Sequence, residues 1–501
     1  CAPCHARRAA LGDYTHSEPD LLDSLLPSLL NEGLYYPDGQ ILEEVYVYGS
    51  FTQSKMYHRE VDCNDCHDAH SLKLLKKGND LCLQCHRRAE YDTKAHHFHK
   101  QTGEMGDPIR NTDGTISFEV GTGAQCIQCH MPGRTYMGID YRPDHSLRIP
   151  RPDLSSSIHA PNACNRCHFD KSNDWSDETI TKWYGPGRRT HYGTVLEAAR
   201  KESPQAEKAL TKLAEDPLYP VIVRATALSL LTAYPGESTR RTFEIAMMDD
   251  EALIRQAAVN GLRVADEKQL TKLLAPLLYD PVTAVRIEAA RRLAGKPGAH
   301  LKEEDRKVFN HALVEFEDAM AYAADFAYAR FNLANLDMAL GRPEAAIQNY
   351  QAAIAIDDLF YPAKVNLAML HNGMGKKDQA EELLREVVSA HPRQYQVAYS
   401  LGLLLAEKKK YEEAARFLAA AAGGMPGHAR VHYNLGALLD YLGKDLEAEK
   451  ALLRTLELEP ENINFLTAAA QYYMKRKQYE KAKILTEKIS AEKAKNHSRI
   501  Q

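Results

Sequence analysis

All ten cysteines of this 501-residue chain fall into five pairs of one spacing: Cys1/Cys4, Cys63/Cys66, Cys82/Cys85, Cys126/Cys129 and Cys164/Cys167. A histidine follows each pair at once, as His5, His67, His86, His130 and His168. Histidine is only 21 of 501 residues, so this register reflects chemistry and not composition. Two thiols three residues apart with an imidazole next in line form the attachment site of a c-type haem. The thiols add across the two vinyl groups as thioethers, and the histidine becomes the proximal iron ligand. The pattern predicts five haem c groups within residues 1–170.

Other uses of paired cysteines explain less. The run from Cys63 to Cys85 has zinc-ribbon spacing, since two knuckles can supply four thiolates. Five knuckles cannot pair evenly, however, and zinc leaves five histidines without a role. A disulfide framework or a thioredoxin-like dithiol accounts for the histidines no better. A lipoprotein reading of Cys1 would take one cysteine away from haem, against four repeats of the motif it completes.

Five motifs in 168 residues leave about 34 residues per haem, too few to wrap each in its own apolar shell. The haems are therefore expected to form a core together. Only 14 residues separate His67 from Cys82, which makes the second and third haems near neighbours.

The distal ligand sets the potential and decides whether an iron has an open position. Nine further histidines compete for five irons: His16, His58, His70, His96, His97, His99, His145, His159 and His191. This surplus favours bis-histidine ligation, with Met56, Met105, Met131 and Met137 as minority options. The preferred set is His70, His97, His99, His145 and His159. His70, three residues after His67, stays on the proximal side of that haem and is expected to serve another. If residues 94–100 are extended, His97 and His99 point alike and His96 points the other way. His145 lies in a stretch stiffened by Pro143 and Pro150, with Asp144 as a turn residue. For each, the bland alternative is a solvated or propionate-bonding side chain.

Behind the motifs the pattern becomes helical and periodic. Arg224, Arg255 and Arg286 recur every 31 residues behind Asp216, Asp250 and Asp280, a spacing that resembles HEAT repeats. A 34-residue period follows, with Ala346, Ala380, Ala414, Ala448 and Ala482 in one register, and Asn332-Leu333, Asn366-Leu367, Ser400-Leu401 and Asn434-Leu435 in another. Pro392, Pro426 and Pro460 close three units. This matches tetratricopeptide repeats, about five from 327 to 494, the last degenerate at Lys477 where earlier units have Gly341, Gly375 and Gly443. The expected class is mainly α: a loop-rich multihaem cytochrome domain over 1–190, HEAT-like repeats over 191–310 and tetratricopeptide repeats over 311–501. Such a solenoid either serves structure alone or offers its concave face to a peptide or protein.

Residues 1–170 hold 17 Lys plus Arg against 23 Asp plus Glu, and haem propionates add negative charge, so nucleic acid is a poor partner. No apolar run approaches the ~20 residues of a membrane span. The chain opens on Cys1-Ala2-Pro3-Cys4-His5, with neither Met nor leader, and the expectation is that an export signal has been removed.

Three segments carry a family resemblance: residues 38–51, Cys63-Asn-Asp-Cys-His-Asp-Ala-His70, and 144–154 leading to Pro161-Asn-Ala-Cys-Asn-Arg-Cys-His168. The chain resembles bacterial multihaem cytochromes with C-terminal HEAT and tetratricopeptide repeats, distantly similar to the nitrite reductase and hydroxylamine oxidoreductase superfamily. The resemblance implies export across the cytoplasmic membrane, where haem is attached, hence a periplasmic or extracellular protein. It does not imply a catalytic haem, because the lysine-ligated CxxCK motif is missing and no crosslinking tyrosine is identified. The leading expectation is an electron-transfer protein docking redox partners or copies of itself. A multihaem oxidoreductase of a small nitrogen or sulfur species and a subunit of an extracellular cytochrome filament are its rivals.

Overall fold

The computed structural model describes residues 1–14, 20–71 and 73–498, in two compact units, Cys1–Ala323 and Ala324–Gln501. Helices dominate, as the repeat periods require. The described strands form four short antiparallel ribbons, all within residues 8–142.

In the first unit each Cys-x-x-Cys-His motif runs through a helical turn. His5 N–H donates to Cys1 O at 3.0 Å, His86 N–H to Cys82 O at 3.1 Å and His168 N–H to Cys164 O at 2.9 Å. The fourth motif is the helix Cys126–His130, and the second opens with a 3-10 turn, Cys63–Asp65. Residues i and i+3 share one face of such a turn, so both thiols of a pair meet one edge of a planar group. Helices also follow the third and fifth motifs, Arg88–Tyr91 and Asn173–Tyr184.

The apolar core of this unit comes from elsewhere. Leu25, Leu30 and Tyr35 are almost fully buried, and residues 20–54 are sewn to helices far along the chain. Leu30 N–H donates to Thr226 Oγ1 at 3.1 Å. Arg200 donates to the carbonyls of Leu30 and Tyr35 at 2.7 and 3.2 Å, and Thr283 donates to Asp23 Oδ1 at 2.8 Å. Gly49 has no room for a side chain, because a Cβ there would sit 2.2 Å from Tyr35 Oη. The segment between the first two motifs and the helices from Tyr192–Arg200 to Thr283–Leu293 therefore share one core.

The 31-residue arginine period is a ladder of ion pairs between successive helical hairpins. Arg224 reaches Asp249, Arg255 grips Asp280 through two bonds of 2.7 and 3.0 Å, and Arg286 grips Glu315 through two of 2.7 Å. Each arginine also donates to a backbone carbonyl, Ala214 for Arg224, Asp249 for Arg255 and Pro281 for Arg286.

Among the described residues the second unit forms five helix pairs, from Ala327–Ala339 with Pro343–Ile356 to Ile463–Lys475 with Tyr479–Ser498. Ala346, Ala380, Ala414 and Ala448 are 0% exposed and Ala482 is 1% exposed, which is why the register admits only a small residue. The turn within each pair is left-handed. Gly341, Gly375 and Gly443 provide it at φ 72–78°, and Lys409 and Lys477 adopt it at φ 62° and 57°. Lysine at this turn is thus not confined to the terminal repeat. Glu381 is buried among Lys408, Lys410 and Arg385. Burial alone would raise its carboxyl, but hydrogen bonds from these three cations outweigh that and hold it down at about 2.

Two stability measurements follow from these contacts. Arg255→Ala leaves Asp280 buried without its cation and should destabilise the first unit by about 3 kcal/mol in chemical denaturation. Because the folded-state pKa of Glu381 is depressed, its contribution is fully present above the unfolded value of about 4.5 and is lost as pH falls toward 2. Glu381→Gln should therefore lower the stability of the second unit at neutral pH and flatten its acid dependence between those limits. An unchanged acid limb would assign that dependence to other carboxylates.

Candidate functional site

Among the described residues from 55 to 120, none is buried. This stretch holds two complete motifs and five of the nine candidate histidines, yet it has no apolar core of its own. Polar contacts hold successive motifs side by side. Gln84 Nε2 donates to Asp65 O at 2.8 Å, joining the second and third motifs. Asn79 joins the third and fourth, accepting from Cys126 N–H at 2.9 Å while donating to Ala124 O and Asp92 Oδ1 at 3.0 Å each. None of the ten cysteines is paired in a disulfide.

Three motif histidines face another histidine ring. His67 faces His145 with ring centres 6.3 Å apart and planes at 27°. His130 faces His96 at 6.1 Å and 9°, and His168 faces His99 at 6.2 Å and 33°. These rings are too far apart for van der Waals stacking. Metal–imidazole bonds of about 2.0 Å, with each ring centre about 1.1 Å behind its nitrogen, place the two centres about 6.2 Å apart around one ion. No group of three or more His, Cys, Asp or Glu among the described residues could hold a metal ion by itself. Facing pairs are what iron needs when a porphyrin supplies its other four ligands.

Hydrogen bonds sort the imidazoles by tautomer. His130 Nδ1 lies 2.8 Å from Arg148 O, His145 Nδ1 lies 3.0 Å from Pro143 O, and His99 Nδ1 bonds to His97 O. A carbonyl oxygen can only accept, so in all three rings Nδ1 carries the proton and Nε2 is left bare for a metal. His97 and His191 are the reverse case. Their Nδ1 atoms accept from the backbone N–H groups of His99 at 3.1 Å and Gly193 at 3.0 Å, which puts the proton on Nε2. Burial lowers the pKa of His96, His130, His145 and His168 and so favours their neutral, ligating form. The same effect, with Arg148 and Arg151 nearby, pushes His191 down to about 3.

Residues 94–99 differ from the extended strand expected of them. Lys94–His97 is a helical turn, closed by Phe98 in the left-handed region at φ 56°. The ring opposite His130 is consequently His96, and His97 turns its Nδ1 back onto the chain. Alternation along a strand had separated His96 from its neighbours, and no sequence signal marks the left-handed turn at Phe98 that parts His96 from His99.

His145 is fixed by a buried charge cluster. Asp144, 4% exposed, accepts from Ser146 N–H at 2.8 Å and from Ile41 N–H at 3.4 Å. Arg148 donates to Asp38 Oδ2 at 3.1 Å and lies 3.7 Å from Asp144. Asp144 is thus a turn residue with a second, buried role. Since Arg148 O also receives the His130 Nδ1 proton, residues 143–148 orient rings in two of the three facing pairs.

The remaining candidates are placed differently. His70 and His159 stand exposed on left-handed turns at φ 65° and 57°. His86 has Tyr91 edge-on at 5.6 Å, and His58 is exposed beside Tyr57. His5 is exposed, in the charge environment of His145. His16 lies outside the described residues. Met105 and Met137 are strongly exposed.

Residues 58–91, spanning the second and third motifs, match a family described as a doubled CXXCH motif. Residues 327–358, 365–429 and 429–462 match tetratricopeptide repeat families. The chain matches no curated protein. Among solved structures, MamA from Desulfovibrio magneticus RS-1 (residue 41 to its end) is 19% identical, covers 34% of this chain and 96% of its own, and has a TM-score of 0.32. YrrB, described as a TPR protein with an unusual peptide-binding site, is 19% identical over 37% of this chain and 98% of its own, at 0.33. MamA MSR-1 is 24% identical over 34% and 98%, at 0.31. The doubled motif indicates haem c binding, and the repeats indicate a module for protein or peptide interaction. No helix among the described residues is long and apolar enough to cross a membrane.

Proposed function

We propose that this chain is an electron carrier that binds five haems covalently through its five motifs and docks redox proteins, or further copies of itself, through its repeats. The observation that carries the reading is the conjunction over residues 55–120: no buried residue among those described, and imidazoles facing histidine rings at the span of two nitrogens on one metal. Each haem, when bound, supplies an iron that changes oxidation state by one electron. The protein's part is to hold that iron between two nitrogens, so that the ligand set does not change with the charge. On this reading His67 with His145, His130 with His96, and His168 with His99 would hold three of the irons. Such pairs leave no position for a substrate, which favours carrier over enzyme. Gln84 and Asn79 keep neighbouring motifs in contact, as short hops require. Thioether formation after export gives a periplasmic or extracellular site of action.

The ligand assignments separate cleanly by mutation. His145→Ala and His96→Ala should each convert one low-spin iron to high-spin and allow the reduced protein to bind one carbon monoxide. His97→Ala should leave the spectrum unchanged. If His97→Ala opens an iron and His96→Ala does not, the assignment within residues 94–99 is reversed.

When haem attachment is blocked by replacing the cysteines of the second, third and fourth motifs, limited proteolysis should cut within residues 55–120. The core formed by 20–54 with the later helices, and the repeats beyond 324, should stay intact. Equal resistance with and without attachment would show that this segment needs no cofactor to hold its shape.

A further inference from the structure

The chain contains two tryptophans, Trp175 and Trp183. Both lie on the helix Asn173–Tyr184, which follows the last motif directly, and each packs against one member of the same facing pair. Trp175 lies 5.1 Å from His168, and Trp183 meets His99 edge-on at 5.8 Å and 82°. The end of the helix also grips the segment that carries the opposing ligands. Phe98 stacks flat on Trp183 at 4.5 Å and 7°. Tyr184 meets Phe98 edge-on at 5.7 Å, lies 6.4 Å from His96, and donates its hydroxyl to His96 O. The base of the helix is tied to the fifth motif, since Ser176 Oγ donates to Asn165 Oδ1 at 2.8 Å and Asn165 donates to the carbonyl of Lys171 at 2.7 Å.

The grip matters because Phe98 is left-handed, a backbone state that a bulky residue rarely adopts unless its surroundings hold it there. That one residue turns the chain between His96 and His99, so that they leave toward His130 and His168 separately. A parallel aromatic stack is the kind of contact that holds such a turn.

We propose that Trp183 and Tyr184 are positioning residues: by clamping Phe98 and the His96 carbonyl they fix the distal ligands of two different irons from one helix end, while Trp175 sets the ring of His168. This rests on the reading that His96 and His99 are axial ligands.

The test uses the full exported five-haem protein, with carbon monoxide as probe, low-temperature electron paramagnetic resonance for spin state, and potentiometry. Trp183→Ala should give high-spin signal and carbon monoxide uptake at the two irons these ligands serve, with both potentials shifted, and Trp183→Phe should restore the wild-type pattern. Phe98→Gly removes the ring while easing the left-handed backbone. It should behave like Trp183→Ala, and it decides the matter if Trp183→Ala fails to fold. His99→Ala is the control for ligation. If His99→Ala opens one iron while Trp183→Ala and Phe98→Gly keep wild-type spin state, potentials and exclusion of carbon monoxide, the clamp is overturned and ligation stands. If His99→Ala opens none, the ligation reading falls and this inference falls with it.

Discussion

A protein segment keeps a fixed conformation when it buries enough apolar surface to offset its lost chain entropy, and small or loop-rich segments that cannot do so depend on crosslinks or cofactors. Residues 55–120 are such a segment, because no described side chain in it is buried. Its order comes from the two ends. On one side, residues 20–54 are built into an apolar core with helices more than 150 residues away, through pairs such as Leu30 with Thr226 and Tyr35 with Arg200. On the other, the segment meets the motif helices Cys126–His130 and Ala163–Cys167 across facing imidazoles. What lies between those rings determines whether the middle of the unit is a structure or a loop.

The same arrangement couples the sites. Residues 143–148 present His145 to one motif histidine and the Arg148 carbonyl to another, and both jobs are fixed by the Asp38, Asp144 and Arg148 cluster. Burial raises the Asp38 carboxyl and the Arg148 guanidinium opposes that rise, so the two charges depend on each other. Residues 94–99 likewise serve two partner rings from one turn of helix. Neighbouring irons held by shared segments would not be independent, and a change of charge at one would be felt at the next through backbone as well as through space.

Much of this was legible in the sequence, because covalent chemistry and repeat packing leave fixed spacings. The cysteine register marks each motif, the 34-residue period marks alanines that turn out to be fully buried, and the 31-residue period marks arginines that tie one hairpin to the next. What was hidden depends on single backbone angles and distant partners. The choice between His96 and His97 turns on Phe98 being left-handed, a state that nothing about phenylalanine announces. The tautomers of His99, His130 and His145 are set by the carbonyls of His97, Arg148 and Pro143 respectively, and the sequence says nothing of where carbonyls point. The docking of residues 20–54 onto the later helices joins positions too far apart for periodicity to relate. Lys409 stands in the 34-residue register of Gly341, Gly375 and Gly443 and adopts the same left-handed turn, a role its side chain does not advertise.

The central claim is that irons sit between specific imidazole pairs and thereby complete the core of residues 55–120. Anomalous diffraction at the iron edge from crystals of the exported protein tests it most directly. The account predicts five iron peaks, one beside each motif, with three of them midway between His67 and His145, His96 and His130, and His99 and His168, each about 2 Å from the two facing nitrogens. Iron peaks bound by His97 in place of His96, or motif irons whose sixth position holds none of His96, His99 and His145, would contradict it.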